Sequence, residues 1–137
     1  MKNIILIIAP SNFRDEELFF VKEELEKANI KCTIASTKFG KCIGKLGGIS
    51  NAIVSVEDIR ASEYNGVIFV GGKGVLEHKL HENEIVLNLA REFNNTGKLV
   101  CAICIAPRIL TRANVIQGRR VTTFPDETNI AARSLYD

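Results

Sequence analysis

The chain has 137 residues, and with 46% hydrophobic and 25% charged residues it can bury a substantial core as one domain. Its formal net charge of +2, carried by scattered Lys and Arg, excludes nucleic acid and anionic membranes as expected partners. The apolar run near the N-terminus is short and lacks a signal cleavage site, and no run approaches the ~18 apolar residues of a membrane span. We therefore expect one cytoplasmic domain over residues 1–137, in which the four cysteines are mostly free thiols.

The first half of the chain alternates between apolar runs and one amphipathic segment. Residues 3–9 form a continuous apolar, β-branched run, typical of a strand covered on both faces, and residues 30–36 form a second strand. Asn12 is the predicted N-cap of a helix over residues 13–28, with Asp15 as its capping-box partner. Residues 39–54 consist of short alternating segments separated by glycines, a pattern that predicts a β-hairpin.

The second half continues the alternation. The predicted elements are a buried strand at 66–70, a helix at 83–95, a buried strand at 98–104, a short helix from Pro107 to Leu110, a strand at 119–123 and a last helix beginning at Pro125. Alternating strands and helices predict an α/β, flavodoxin-like doubly wound parallel sheet that carries one β-hairpin insertion. In such folds ligands bind at the carboxyl ends of the strands.

Cys104 lies where the fourth buried strand turns into a helix. So sharp a corner lifts the side chain out of the sheet and needs small neighbours two residues away, which Ala102 and Ala106 provide. A thiol near a helix N-terminus has a lowered pKa, so we expect a reactive thiolate. The alternative is a small buried hydrophobic residue, the usual role of a free cysteine.

Cys101 and Cys104 also form a C-x-x-C motif, which is typical of redox disulfides and zinc sites. Residues three apart on a strand are separated by about 10 Å, beyond the limit of about 7 Å for a disulfide. No second C-x-x-C or histidine cluster completes a zinc site, and we expect Cys101 to be a core residue. His78 and His81 lack a third ligand and are expected on a solvated helix face, so the sequence predicts no metal.

Glu17 is the second candidate, and its angular position around the predicted helix selects it. At 100° per residue it falls near the middle of an apolar stripe, whereas Asp15 and Glu16 lie outside it. A carboxylate on a packed face is desolvated and has a raised pKa unless it is paired. Glu24 lies at a similar angle around the helix, so this angle alone does not decide the role of Glu17. The alternative is that Glu17 only interacts favourably with the helix dipole. The stripe consists of Phe13, Leu18, Phe20, Val21, Leu25 and Ala28.

The glycine-rich residues 71–74 follow the third buried strand. Successive backbone N–H groups in such a segment form an anion-binding nest, although glycines after a strand are commonly only a turn. The segment matches neither G-x-G-x-x-G nor a P-loop, so nucleotide binding is not indicated and no cofactor is predicted.

Four segments together resemble the ThiJ/PfpI family, part of the class I glutamine-amidotransferase-like superfamily. They are Phe-Arg-Asp-Glu-Glu-Leu at 13–18, Val-Gly-Gly at 70–72, Ala-Ile-Cys-Ile-Ala-Pro at 102–107 and Val-Thr-Thr-Phe-Pro at 121–125. The resemblance covers essentially the whole chain. It implies that Cys104 is a nucleophile or redox sensor, that Glu17 hydrogen-bonds its sulfur, and that the backbone amides of Gly72 and Ile105 form an oxyanion site.

The chain departs from the family pattern at the histidines. Many relatives have a histidine directly after the cysteine, and the deglycase-like branch has one before the later proline. Here Ile105 and Phe124 occupy these positions, so a Cys–His pair is not expected. Relatives also continue through another strand and a closing helix, and the resemblance therefore implies a fragment or a naturally short form that ends at Asp137.

Three functions follow from the resemblance. The first is glyoxalase- or deglycase-like action on small carbonyls or glycated protein, in which Cys104 attacks the carbonyl and Glu17 moves the proton. The second is a redox-sensing or chaperone-like protein in which Cys104 is oxidised to a sulfinate. The third is a PfpI-like cysteine peptidase, which the missing histidine disfavours. The expected protein partner is a second copy of the chain, because dimers are common in the family.

Overall fold

The computed structural model describes residues 1–125, so the predicted helix that begins at Pro125 lies outside the described residues. Three short 3-10 turns, Val56–Asp58, Ala61–Glu63 and Leu80–Glu82, accompany the longer elements. In chain order these longer elements are β1 (Asn3–Ile8), β2 (Ser11–Phe13), α1 (Asp15–Lys27), β3 (Lys31–Ser36), β4 (Gly40–Gly44), β5 (Ile49–Ala52), β6 (Val54–Ser55), β7 (Gly66–Phe69), α2 (Gly74–Glu77), α3 (Glu84–Asn95), β8 (Leu99–Ala102) and α4 (Pro107–Arg112).

The main sheet has five strands in the order β6-β3-β1-β7-β8, and every neighbouring pair is parallel. Alternate residues of β1 enter two different hydrophobic cores. Ile5 and Ile7 pack with α3 and α4 on one face, whereas Leu6 and Ile8 pack with α1 on the other. Helices on both faces of a parallel sheet confirm the doubly wound α/β prediction.

A second, three-stranded sheet has the order β2-β4-β5. Strands β4 and β5 are antiparallel, which confirms the hairpin predicted for residues 39–54. Strand β2 was not predicted, and it pairs in parallel with β4. Because residues 11–13 are used in this pairing, α1 begins only at Asp15. The predicted N-cap is therefore wrong: Asn12 has φ 57° and donates instead to Glu77 Oε2 at 2.8 Å.

Asp15 is buried and holds the hairpin turn against the start of α1. Its two carboxylate oxygens accept hydrogen bonds from the backbone N–H groups of Leu46 and Gly48, each at 2.8 Å. A Cβ at Gly44 or Gly48 would lie 2.5 Å from this carboxylate, so these glycines leave the space that it occupies. The expected capping box is therefore replaced by a contact with a distant part of the chain.

The elements near the second half of the sheet also differ from the prediction. Strand β8 ends at Ala102 rather than at residue 104, and α4 continues to Arg112. The strand predicted at 119–123 is wrong, since these residues have no regular structure. The Thr123 hydroxyl and the Phe124 N–H both donate hydrogen bonds to the carbonyl of Cys104. No helix among residues 1–125 is long and apolar enough to cross a membrane.

The two histidines do not share a solvated helix face, so that prediction is wrong. His81 is buried, with Nδ1 3.4 Å from the Val75 carbonyl oxygen, and burial lowers the pKa of its ring. His78 is exposed, and its Nε2 lies 2.7 Å from Ser11 Oγ.

Replacing Asp15 by alanine is expected to destabilise the protein. Two backbone N–H groups lose a charged acceptor, which costs about 2 to 3 kcal/mol of the free energy of unfolding. Urea unfolding measures this loss, and the matched control is Glu23→Ala, which breaks an exposed ion pair with Lys27 on the same helix. The control is expected to change stability by less than about 1 kcal/mol. Equal stability of the two variants would contradict the role assigned to Asp15.

Candidate functional site

Cys104 occupies a strained corner between β8 and α4. Its φ is 63°, in the left-handed region that residues with a Cβ seldom adopt, and such a conformation costs about 1 to 3 kcal/mol. The side chain is half-buried and packs against the core formed with α3 and α4. The surrounding structure therefore holds this side chain in one orientation at the carboxyl edge of the sheet.

Glu17 lies in the first turn of α1 and meets the thiol of Cys104. Its Oε2 accepts a hydrogen bond from the Gly71 N–H at 2.8 Å, and the carboxyl group also hydrogen-bonds Cys104. Burial raises the pKa of Glu17, and the bonds to Gly71 and Cys104 and the charge of Arg14 only partly offset this effect. The partial desolvation inferred from helical phase thus agrees with the structure.

The apolar stripe behind that inference is partly wrong. Phe20 and Ala28 are exposed, whereas Phe19, which was not included, packs against the core together with Val21 and Leu25. The ring of Phe19 lies 6.1 Å from that of Phe13 in β2, and a Cβ at Gly48 in the hairpin would lie 2.5 Å from it, so the second sheet also covers part of α1. Glu17 is half-buried through its contacts with Gly71 and Cys104, at the edge of the packed face.

Gly71 belongs to the predicted glycine-rich segment 71–74, although the predicted site includes only Gly72, and it provides the space in which Glu17 and Cys104 meet. A Cβ at this position would lie 2.6 Å from Glu17 Oε2 and 2.8 Å from the Cβ of Cys104. Gly72 has φ 106°, and a Cβ there would lie 2.5 Å from the backbone nitrogen of Arg14. The signal in the sequence was the glycine pair itself, which marks both a close approach and a left-handed residue.

The pKa of the Cys104 thiol is raised, so the predicted lowering by the helix dipole is wrong. Burial raises it first, and the charge and hydrogen bond of Glu17 raise it further. The backbone N–H groups of Ile105 and Gly72 act in the opposite direction, because they stabilise the thiolate. Helix α4 begins only at Pro107 and has six residues, so its N-terminus does not dominate. The pKa values of both the Cys104 thiol and the Glu17 carboxyl group are therefore raised, which favours the protonated form of each group.

All four residues predicted for the site converge at this edge of the sheet. The sulfur of Cys104 contacts Glu17 and the N–H groups of Gly72 and Ile105, although the Ile105 side chain is buried in the core. The hydrogen bonds of the chain's two histidines go elsewhere, to Ser11 and Val75. In the described part of the chain, no group of three or more His, Cys, Asp or Glu is arranged to hold a metal ion.

A hydrogen-bonded thiol and carboxyl group at a strand-to-helix corner, close to two backbone N–H groups, define a class of α/β proteins built around an elbow cysteine. The DJ-1/PfpI family model matches residues 2–135, and the chain belongs to this family. The family predicted from the sequence motifs is thereby confirmed.

Individual relatives agree with this assignment. An uncharacterized protein of Methanocaldococcus jannaschii is 37% identical over 91% of the chain, and the chain spans only 62% of that relative's length. A deglycase of Pyrococcus abyssi is 31% identical over 88% of the chain and 72% of its own length. Among solved structures, the ThiJ/PfpI domain protein of Brachyspira murdochii has a TM-score of 0.91 and 30% identity, with coverage of 98% of this chain and 77% of that protein.

The raised pKa of Glu17 makes the stability of the protein depend on pH in a defined direction. A carboxyl group with a higher pKa in the folded chain binds more protons when folded, so its contribution is present at low pH and is lost as the pH rises. We expect the free energy of unfolding of the wild type to fall, relative to Glu17→Gln, as the pH rises from the ordinary value of 4.5. Urea unfolding between about pH 4 and pH 8 measures this difference.

The control for this pH series is Glu23→Gln, which removes an exposed carboxylate from the same helix. If the wild type instead gained stability relative to Glu17→Gln with rising pH, the carboxyl group would not be desolvated at the site.

Proposed function

We propose that this chain is a cysteine-dependent enzyme that acts on small reactive carbonyls or on their adducts with protein, in the manner of a glyoxalase or deglycase. The observation that carries the proposal is the Cys104–Glu17 pair set against two backbone N–H groups. Relatives named deglycase in Pyrococcus abyssi and Escherichia coli, each 31% identical, support the same reaction class.

The geometry supports addition of the thiol to a carbonyl group. The sulfur of Cys104 forms a bond to the carbonyl carbon while the C=O π bond breaks, and the carboxylate of Glu17 accepts the thiol proton. The oxygen becomes an oxyanion and receives hydrogen bonds from the N–H groups of Gly72 and Ile105. Return of the proton to this oxygen completes a hemithioacetal. Because Glu17 accepts the proton during attack, the reaction does not require a resident thiolate.

Glu17 is the proton acceptor in this scheme, since Ile105 and Phe124 stand at the positions where relatives of the family carry histidine. The raised pKa of the carboxyl group suits this role, because a stronger base removes the thiol proton more readily. A cysteine peptidase must also protonate an amine leaving group, for which a histidine is the usual donor. We therefore place peptidase activity third.

Redox sensing is the second candidate function. In that case two molecules of peroxide oxidise the Cys104 thiol to a sulfinic acid and are themselves reduced to water. The sulfinate oxygens would receive hydrogen bonds from the protonated carboxyl group of Glu17, whose pKa is raised, and from the backbone N–H groups of Gly72 and Ile105. A half-buried thiol without a histidine base favours this candidate.

Turnover of methylglyoxal by four proteins separates these candidates. We expect Cys104→Ser and Glu17→Gln to lose at least a factor of about 100 in kcat/KM, because one lacks the nucleophile and the other its base. Cys101→Ala is the matched control and should retain activity, since this half-buried cysteine packs in the core beside α1. If the wild type is inactive, and mild peroxide adds two oxygen atoms to Cys104 alone, the redox function replaces the enzymatic one.

We also propose a cytoplasmic location and a second copy of the chain as protein partner. The outer face of the hairpin exposes large apolar side chains, and those on β4 and β5, Ile43 and Ile49, lie directly opposite each other. Apolar surface of this extent is typical of an interface between proteins. The full set is Phe39, Ile43, Leu46, Ile49 and Ile53, with exposed fractions between 44% and 68%.

A charge placed on this face is expected to prevent dimerisation. The double variant Leu46→Lys and Ile49→Lys should give a monomer, whereas Ile85→Lys, on the exposed side of α3, should assemble as the wild type does. Light scattering after size-exclusion chromatography measures the mass in each case. A monomeric wild type, or a dimer that survives the double substitution, would show that this face is not the interface between copies.

A further inference from the structure

The carbonyl oxygen of Cys104 accepts two hydrogen bonds from a segment that follows it much later in the chain. Thr123 Oγ1 donates at 2.9 Å from a position 19 residues further on, and the Phe124 N–H donates at 2.7 Å. This pair of bonds accounts for the path of residues 121–125, which run beside the corner and not along a sheet edge. The reaction proposed above does not involve either residue.

The corner needs these donors because the following helix does not supply them. In an ordinary turn the carbonyl of residue 104 would accept from the N–H of residue 107, but Pro107 has none. The next amide, that of Arg108, donates to Ile105 instead. The Cys104 carbonyl would therefore lack a partner from α4, and a buried carbonyl without a partner is costly.

The same peptide group carries the N–H that faces the sulfur. The carbonyl of Cys104 and the N–H of Ile105 belong to one planar peptide unit, which is trans and therefore points the two groups in opposite directions. Fixing the carbonyl thus fixes the direction of the N–H. Hydrogen bonds to a peptide oxygen also polarise the unit and strengthen its N–H as a donor.

We propose that Thr123 is a positioning residue for the Ile105 N–H, acting through the Cys104 carbonyl. Its hydroxyl locks the peptide unit that stabilises the Cys104 thiolate and, on the proposed function, the oxyanion of the reaction. The Phe124 N–H contributes the second bond from the same segment. The left-handed backbone of Cys104 makes these hydrogen bonds necessary, because a residue with a Cβ keeps this strained conformation only where the surrounding structure imposes it.

The test follows the alkylation of Cys104 by iodoacetamide against pH in the full chain, with peptide mass mapping to separate it from the other cysteines. Thr123→Val keeps the shape of the side chain and removes the donor. We expect its alkylation rate at pH 7 to fall by about threefold to tenfold and its titration midpoint to rise, as for the loss of one stabilising hydrogen bond. Thr123→Ser retains the donor and should behave as the wild type does.

Thr122→Val is the matched control, because it makes the same change at the adjacent, exposed threonine. It should leave the titration unchanged. A merely structural role for Thr123 would lower stability in urea without moving the midpoint, and that result would overturn the proposal. So would a Thr123→Ser protein that titrates as Thr123→Val does. If Thr123→Val does not fold, Thr123→Ala and the NMR shift of the Ile105 amide provide the same comparison.

Thiol titration and carbonyl turnover are separate measurements, so the two proposals fail separately. If the wild type turns over no carbonyl while Thr123→Val shifts the thiol titration, the proposed enzymatic function is wrong and the positioning role stands. If the wild type is active and Thr123→Val matches it in both titration and turnover, the positioning role is wrong and the function stands.

Discussion

The structure depends on the burial of β1 on both faces. Its side chains alternate between two cores, and its backbone pairs in parallel with β3 on one side and β7 on the other. Fully burying each aliphatic side chain contributes about 1.5 to 3 kcal/mol, so this strand is a large contributor to the stability of the fold. Because β7 and β8 run in the same direction, the glycine pair after one and the cysteine after the other reach the same edge.

Much of the fold could be predicted from the sequence because its strands are short, apolar and clearly bounded. The errors fall where a local pattern has a long-range partner. Asn12 and Asp15 have the spacing of a capping box, yet Asn12 bonds to Glu77 and Asp15 holds a turn 31 residues away. Residues 119–123 have the composition of a strand, but they pair with no strand among residues 1–125. These contacts join residues that are far apart in the sequence, so no local pattern indicates them.

The candidate site likewise combines residues that a local pattern indicates with residues that depend on a distant partner. A sharp corner and a helical phase were sufficient to select Cys104 and Glu17, since both signals are local. Gly71 contributes its N–H and the space left by a missing side chain, and Thr123 hydrogen-bonds a backbone carbonyl. Neither role depends on a reactive side chain, so the glycine pair marks a close approach in the sequence but not its partners. The direction of the Cys104 pKa was wrong because the helix-dipole argument ignored burial and the neighbouring carboxylate, which are the larger effects.

The first turn of α1 carries two inward-facing carboxylates with different tasks. Asp15 holds the hairpin, and Glu17, two residues on, holds Gly71 and Cys104. One helical turn therefore joins the hairpin to the carboxyl group that hydrogen-bonds Cys104. Linkage is reciprocal, so a ligand of the hairpin that displaces this turn changes the proton affinity of the site, and protonation of the site changes the affinity for that ligand by the same factor.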